Sequence, residues 1–295
     1  MGRSTTPASN RMPERLDHAL ASRGLSRSRT AAARSVDAGQ VLVNGKPALK
    51  PSQKVDPADM LEVCSGLGYV SRAAHKLLAA LDDFSLSVQG QRALDVGAST
   101  GGFTQVLLER GAADVVALDV GHDQLDGMLR ADTRVTVIEG ENARYLTEDR
   151  LNACISAQRA EREPLRAHDL TVAVGDLSFI SLRYVLPALR DSLPQLQWAV
   201  MLVKPQFEVG RRFVRGGLVH DVEVAADAVV DVVNDAATLG LRTRGFCESP
   251  VTGTHGNREF LLWLSADAPA SLNGEELGDQ RKIARIREIV VKGAS

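Results

Sequence analysis

Short apolar runs recur through the last three quarters of the chain, separated by amphipathic stretches. The runs are Ala93-Leu94-Asp95-Val96, Val115-Val116-Ala117-Leu118-Asp119, Val135–Glu139, Leu170–Asp176 and Trp198–Lys204. Each has the length and the Val/Leu content of a buried strand. Helical spacing follows in Phe103–Arg110, Leu182–Leu193 and Val222–Leu239, the last with Gly240 placed to end it. Leu241–Glu248 and Arg258–Leu264 then succeed one another without a helix between them. Seven strands alternating with helices predict an α/β protein, a doubly wound sheet with an antiparallel hairpin at one edge.

The N-terminal part has another rhythm. Leu16, Ala19 and Leu20 form a helical stripe that stops near Gly24. Ser26 can cap a second helix to Ala38, ended by Gly39. A strand at Val41–Val43, an Asn44-Gly45 turn, a return through Lys46–Lys50 and a short strand at Met60–Val63 complete a small α+β module. The expected layout is a disordered tail over 1–11, the module over 12–64, a linker over 65–69, a large domain over 70–265, and a tail over 266–295 with a short basic helix. A helix is predicted from Tyr69 to about Asp83, and residues 148–168 are expected to be an exposed loop or frayed helix.

Composition narrows the class. Of 295 residues 44% are hydrophobic, enough for a substantial core, yet no run approaches the ~18 needed to span a bilayer. The polar start lacks the apolar stretch of a signal peptide. Cys64, Cys154 and Cys247 are few, distant and without metal-ligand spacing, which predicts reduced thiols, no metal and a cytoplasmic protein. Net charge is −2, but residues 1–54 hold ten Lys or Arg against three Asp or Glu. Basic residues concentrated in one small module favour a nucleic-acid partner.

The nine residues Asp95 to Phe103 lie between a strand and a helix and contain three glycines. Glycine lets backbone approach a ligand where a Cβ collides. The next strand ends in Asp119, suited to accepting hydrogen bonds from ribose hydroxyls. The G-x-G-x-x-G spacing of nicotinamide enzymes is missed. An acid two residues before the first glycine instead suits the ammonium of S-adenosylmethionine; a tight turn without a ligand is the plain alternative. Candidate cofactor residues are Asp95, Gly97, Ser99, Thr100, Gly101, Gly102, Phe103, Asp119, Asn142 and Asp176.

Residues 12–64 resemble the S4-type RNA-binding domain. The match rests on Arg15-Leu16-Asp17 with the helix pair, the basic helix from Ser26 to Arg34, and Gly39 to Lys46 as G-x-V-x-V-N-G-K. The resemblance implies RNA contacts by Arg15, Arg27, Arg29, Arg34 and Lys46, to which Arg72 is added from the following helix.

Lys76, Asp176, Lys204 and Glu259 stand where strands end or where helices face the same rim. Each alone has a dull explanation in a surface ion pair. Together they resemble the Lys-Asp-Lys-Glu tetrad of FtsJ-like ribose 2′-O-methyltransferases. The strings that carry the likeness are Ser71–Leu77, Gly175–Ser181 and Val203–Glu208. With the N-terminal module, the stretch from about Arg15 to Leu264 is similar to the TlyA family, often labelled haemolysin. The stretch Val120–Met128 departs from that pattern, lacking an aromatic near His122 and a tryptophan near Gly127.

The resemblance implies methyl transfer from S-adenosylmethionine to cytidine ribose in 16S or 23S ribosomal RNA, by a monomer acting on ribosomal RNA or ribosomal subunits and not on membranes. Lys204 is then the base or hydroxyl-orienting group, with Lys76 as a source of positive field. Another RNA target, a membrane-active haemolysin and a non-enzymatic RNA-binding assembly factor are the alternatives. His122 and His255 lie in loops and are read as structural or solvated.

Overall fold

The computed structural model describes residues 13–37, 39–48, 50–63, 68–253, 256–266 and 275–292. The chain forms two compact units, Met1–Arg72 and Ala73–Ser295. The expected tail over 1–11 and most of the expected linker lie outside the described residues.

In the first unit, β1 (Glu14–Arg15), α1 (Leu16–Ser22) and α2 (Arg29–Asp37) precede β2 (Val41–Val43), β3 (Lys46–Pro47), β4 (Lys54–Val55) and β5 (Leu61–Val63). β2 lies between β3 and β5, antiparallel to both, and β1 pairs with β4. Leu16, Leu20, Val36, Val41 and Val55 fill the core between helices and strands. Asn44 and Gly45 take positive φ of 53° and 74°, the geometry a two-residue hairpin requires. Asn44 also binds Asp59 Oδ1 and the Met60 amide, fixing the turn against the next loop. The cap of α2 is Ser28 and not Ser26: Ser28 Oγ accepts from the Ala31 amide. The β1–β4 pair, two residues a side, was below what periodicity can reveal.

The second unit begins with α3 (Ala74–Asp83), β6 (Arg92–Val96), α4 (Gly102–Glu109), β7 (Asp114–Asp119), α5 (Gly127–Ala131) and β8 (Val135–Glu139). It continues with α6 (Glu148–Gln158), β9 (Val172–Gly175), α7 (Leu182–Ser192), β10 (Trp198–Val203) and α8 (Pro205–Glu208). A small hairpin, β11 (Val214–Arg215) and β12 (Leu218–Val219), leads to α9 (Val222–Thr238), β13 (Arg242–Glu248), β14 (Phe260–Ser265) and α10 (Glu275–Lys292).

The main sheet has the order β13-β14-β10-β9-β6-β7-β8. The five strands from β10 to β8 are parallel, and β14 runs antiparallel between β10 and β13. This is the predicted doubly wound sheet with its antiparallel edge hairpin. Chain order reverses between β6 and β9, so the carboxyl ends of those strands open the ligand crevice.

Three expectations need correction. Residues 148–158 are a regular helix, α6, whose Leu151 and Ile155 are fully buried and whose N-cap Thr147 accepts from the Arg150 amide. α10 is not a detached tail. Its Ile286 and Val290 join the main core, and the Arg258 guanidinium donates to the carbonyls of Ile289 and Val290. α3 starts at Ala74, five residues later than predicted.

Candidate active site

The turn after β6 shows why glycine stands at two of its positions. Gly97 has φ 82°, and a Cβ there would lie 3.1 Å from the Leu177 side chain and 3.4 Å from the Asp176 carbonyl. Gly101 has φ 97°, and its Cβ would fall 2.3 Å from Leu129 and 2.8 Å from Leu125. The room left at Gly101 is therefore taken by leucines of the protein. Asp119 clamps this turn to the end of β7: its Oδ2 accepts from the Ser99 amide at 2.8 Å and its Oδ1 from the Gly121 amide at 2.7 Å. A carboxylate has about four acceptor positions, so two remain.

Asp95 is fully buried. Thr104 Oγ1 donates to its Oδ2 at 2.7 Å, while Oδ1 has no partner among the described residues. Burial pushes the carboxyl up to about 7, against the pull of the Thr104 bonds and with added repulsion from Asp176 and Asp119. Ser99 and Thr100 are exposed, whereas Gly102 and Phe103 are buried in the first turn of α4. Asn142 is exposed beyond β8, and its Oδ1 caps a single turn by accepting from the Arg144 amide. His122 packs over Gly140, where a Cβ would come within 2.8 Å of Nε2; His255 lies outside the described residues.

Lys76, Asp176, Lys204 and Glu259 converge. Lys76 Nζ is 2.6 Å from Glu259 Oε2 and 3.0 Å from Asp176 Oδ2. Asp176 Oδ1 is 2.7 Å from Lys204 Nζ, which also donates to Ser178 Oγ at 2.9 Å. The four form one chain of alternating formal charge, Glu259–Lys76–Asp176–Lys204, two carboxylates and two lysines. Lys76, Lys204 and Glu259 are buried, and Asp176 nearly so.

Local structure explains the convergence. Asp176 follows β9 and Lys204 follows β10, neighbouring parallel strands; Glu259 precedes β14, which is antiparallel to β10 and so starts beside its end. Lys76 comes from the first turn of α3. Burial disfavours the charged form of Lys76, but Asp176 and Glu259 outweigh it and raise its pKa. Burial likewise opposes ionisation of Asp176, and Lys76 and Lys204 outweigh it and lower its pKa.

Beside Lys204 lies a feature that sequence reasoning missed. Phe179 is 91% exposed, holds a strained positive φ of 64°, and sets its ring 5.2 Å from that of Phe207. A large aromatic held in the open at backbone cost points to a binding role. No periodic signal marks such a residue. Glu208 closes the loop from behind, accepting from Ser181 Oγ and from the Leu182 amide.

In the first unit, buried Asp17 accepts from Arg15 Nε at 3.0 Å and from Arg15 at a second nitrogen at 2.7 Å, and lies 3.3 Å from Arg29. Those bonds, Arg15 foremost, hold the Asp17 pKa down. Arg27 and Arg34 are exposed, have no ion-pair or hydrogen-bond partner among the described residues, and line a shallow groove with Ser26, Ser28 and Thr30. Lys46 is exposed on β3, and Arg72 is half-buried with interactions of its own. The expected basic residues thus divide into a paired set and a free set.

Among the described residues there is no cluster of three His, Cys, Asp or Glu fit to hold a metal ion, and no helix long and apolar enough to cross a membrane.

A profile described as FtsJ-like methyltransferase matches residues 69–266, and one for the S4 domain matches residues 14–61. The chain is 46% identical over 268 residues to the 16S/23S rRNA (cytidine-2′-O)-methyltransferase TlyA of Mycobacterium tuberculosis, covering 90% of this chain and 94% of that one. It is 38% identical to Hemolysin A of Brachyspira hyodysenteriae, covering 84% and 98%. A crystallised candidate hemolysin from Streptococcus thermophilus superposes with a TM-score of 0.64 at 37% identity, covering 96% and 98%.

Proposed function

The chain belongs to the TlyA family of FtsJ-like methyltransferases with an S4 domain, and we propose that it methylates the 2′-hydroxyl of a cytidine in 16S or 23S ribosomal RNA. The alternating tetrad carries this reading. Relatives named methyltransferase and relatives named hemolysin share similarity along most of this chain, so both names belong to one family. We assign RNA binding to residues 12–64, methyl transfer to residues 70–265, and action in the cytoplasm as a monomer.

The turn fits S-adenosylmethionine. Asp95 Oδ1 is a buried acceptor without a donor, suited to the cofactor's ammonium. Asp119 keeps acceptor positions for ribose hydroxyls, and exposed Ser99 and Thr100 border the same turn. When bound, the cofactor supplies a methyl group activated by a sulfonium.

A ribose hydroxyl is a poor nucleophile at neutral pH, so the protein's work is alignment, proton removal and charge stabilisation. Lys204 is the group we place on the reacting hydroxyl: its ammonium orients the oxygen, and once it has given a proton to solvent the neutral amine takes the hydroxyl proton at Nζ. Ser178 and Asp176 hold that nitrogen in position. Lys76, kept charged by its two carboxylates, supplies a fixed positive field near the developing alkoxide. Glu259 positions Lys76. Phe179 offers a face on which a base drawn out of the RNA stack can rest.

The deciding experiment incubates the protein with ribosomal subunits and S-adenosylmethionine labelled in its methyl group, then maps the product. A 2′-O-methylcytidine in ribosomal RNA is expected. A methylated base, or label found only in another RNA, overturns the assignment.

A further inference from the structure

The segment between α8 and α9, a single 3-10 turn over Arg211–Phe213 running into the β11–β12 hairpin and here taken with it, carries four residues that the proposed reaction does not use. Arg211, Arg212, Phe213 and Arg215 are all exposed. Many arginines of this unit face an acid: Arg110 meets Asp82, Arg159 meets Asp114, Arg258 meets Glu248. The side chains of Arg211 and Arg215 have no ion pair or hydrogen bond among the described residues, and that of Arg212 lies only over the Phe213 ring, 4.7 Å from its centre. Three positive charges without counter-charge therefore stand together on a unit that bears most of the chain's acids.

Their position gives them meaning. The hairpin follows Lys204 by way of the four-residue α8. It is tied back by Asn257, whose buried amide donates to the Gly217 carbonyl at 2.8 Å, two residues before Glu259. Val219 at its base packs against the main core. The arginines are thus presented on a fixed element fastened beside two members of the tetrad.

Resting on the RNA methyltransferase reading, we infer that this hairpin is a second RNA-binding element, in which Arg211, Arg212 and Arg215 contact backbone phosphates flanking the target ribose. Guanidinium groups free of partners bind phosphate through paired N–H donors without first breaking an internal bond. An exposed phenyl ring beneath one of them adds a face for a neighbouring base. Such contacts hold the strand in register and do not read its sequence.

The test is the triple variant Arg211→Gln/Arg212→Gln/Arg215→Gln in the full-length protein, assayed on ribosomal subunits with S-adenosylmethionine. These side chains are exposed, and their one ring, ion-pair or hydrogen-bond contact among the described residues is that of Arg212 with the exposed Phe213 ring, so thermal unfolding and cofactor affinity should match the wild type. KM for subunits should rise on the order of tenfold or more, and the log–log salt slope of binding should shrink by about two to three. The triple lysine variant should restore most of the slope. A glutamine variant with unchanged KM and slope, beside an active wild type, overturns the hairpin assignment alone. A wild type that methylates no ribosomal RNA overturns the methyltransferase reading and the hairpin with it.

Discussion

Lys76 and Glu259 meet with 2.6 Å between Nζ and Oε2, although 183 residues separate them in the chain. The pair belongs to a buried set of two lysines and two carboxylates, so removing any single member leaves a charge unbalanced. Glu259→Leu leaves Lys76 with one partner and a surplus positive charge, and should lower stability by about 3 kcal/mol. Lys76→Met should do similar harm by stranding Glu259 and leaving Asp176 with Lys204 alone. In the double variant both charges disappear together, so much of the loss should return. Urea denaturation of the four proteins checks this; additive losses would mean that the pair is not coupled. Methyl transfer should fail in all three variants.

Strands β7, β8 and β10 were legible in the sequence because strands buried on both faces need uninterrupted apolar runs. Asp176 and Lys204 were legible because polar residues ending such runs must emerge at the crevice. α6 was not, since it buries only Leu151 and Ile155, and a helix with so narrow a buried face has little periodicity. Thr147 before Glu148 and Asp149 was the overlooked start signal. The packing of α10 escaped because Ile286 and Val290 sit in a strongly charged stretch. Phe179 escaped because its exposure is decided by backbone strain, which no hydrophobic pattern records.

Asp95 should leave a signature in the pH dependence of stability. Its folded pKa is raised to about 7 from 3.8, so the native state binds the extra proton. Stability from this group therefore falls as pH climbs from about 4 to about 7, then stays level. A rise of that size corresponds to at most about 4 kcal/mol. Asp95→Asn, which cannot ionise, should gain in melting temperature relative to wild type between pH 5 and pH 8. A difference independent of pH would refute the buried, strained carboxylate. Calorimetry on the same variant should find weakened S-adenosylmethionine binding.

The N-terminal unit separates free from paired arginines, and the two sets should behave differently. Arg27→Gln and Arg34→Gln should each lower the salt slope of RNA binding by about one, without altering thermal unfolding. Asp17→Asn should instead destabilise the unit by roughly 1–3 kcal/mol, because buried Asp17 is the shared acceptor for Arg15 and Arg29. If deleting residues 1–64 leaves RNA affinity and its salt dependence untouched, this unit is not the anchor.

Lys204 bears the sharpest consequence. It is buried beside Asp176 and Ser178, at the end of the strand next to β9. Lys204→Ala should remove turnover with little loss of cofactor or RNA binding, because its work is confined to the transition state. The variant also leaves Asp176 with Lys76 as its remaining ion-pair partner, so unfolding must be measured alongside to show that the protein is intact. Lys204→Arg keeps the positive charge but cannot release a proton at any accessible pH. No activity in the arginine variant assigns Lys204 as the base; partial activity assigns it to orientation and charge stabilisation. A fully active alanine variant removes it from the chemistry altogether.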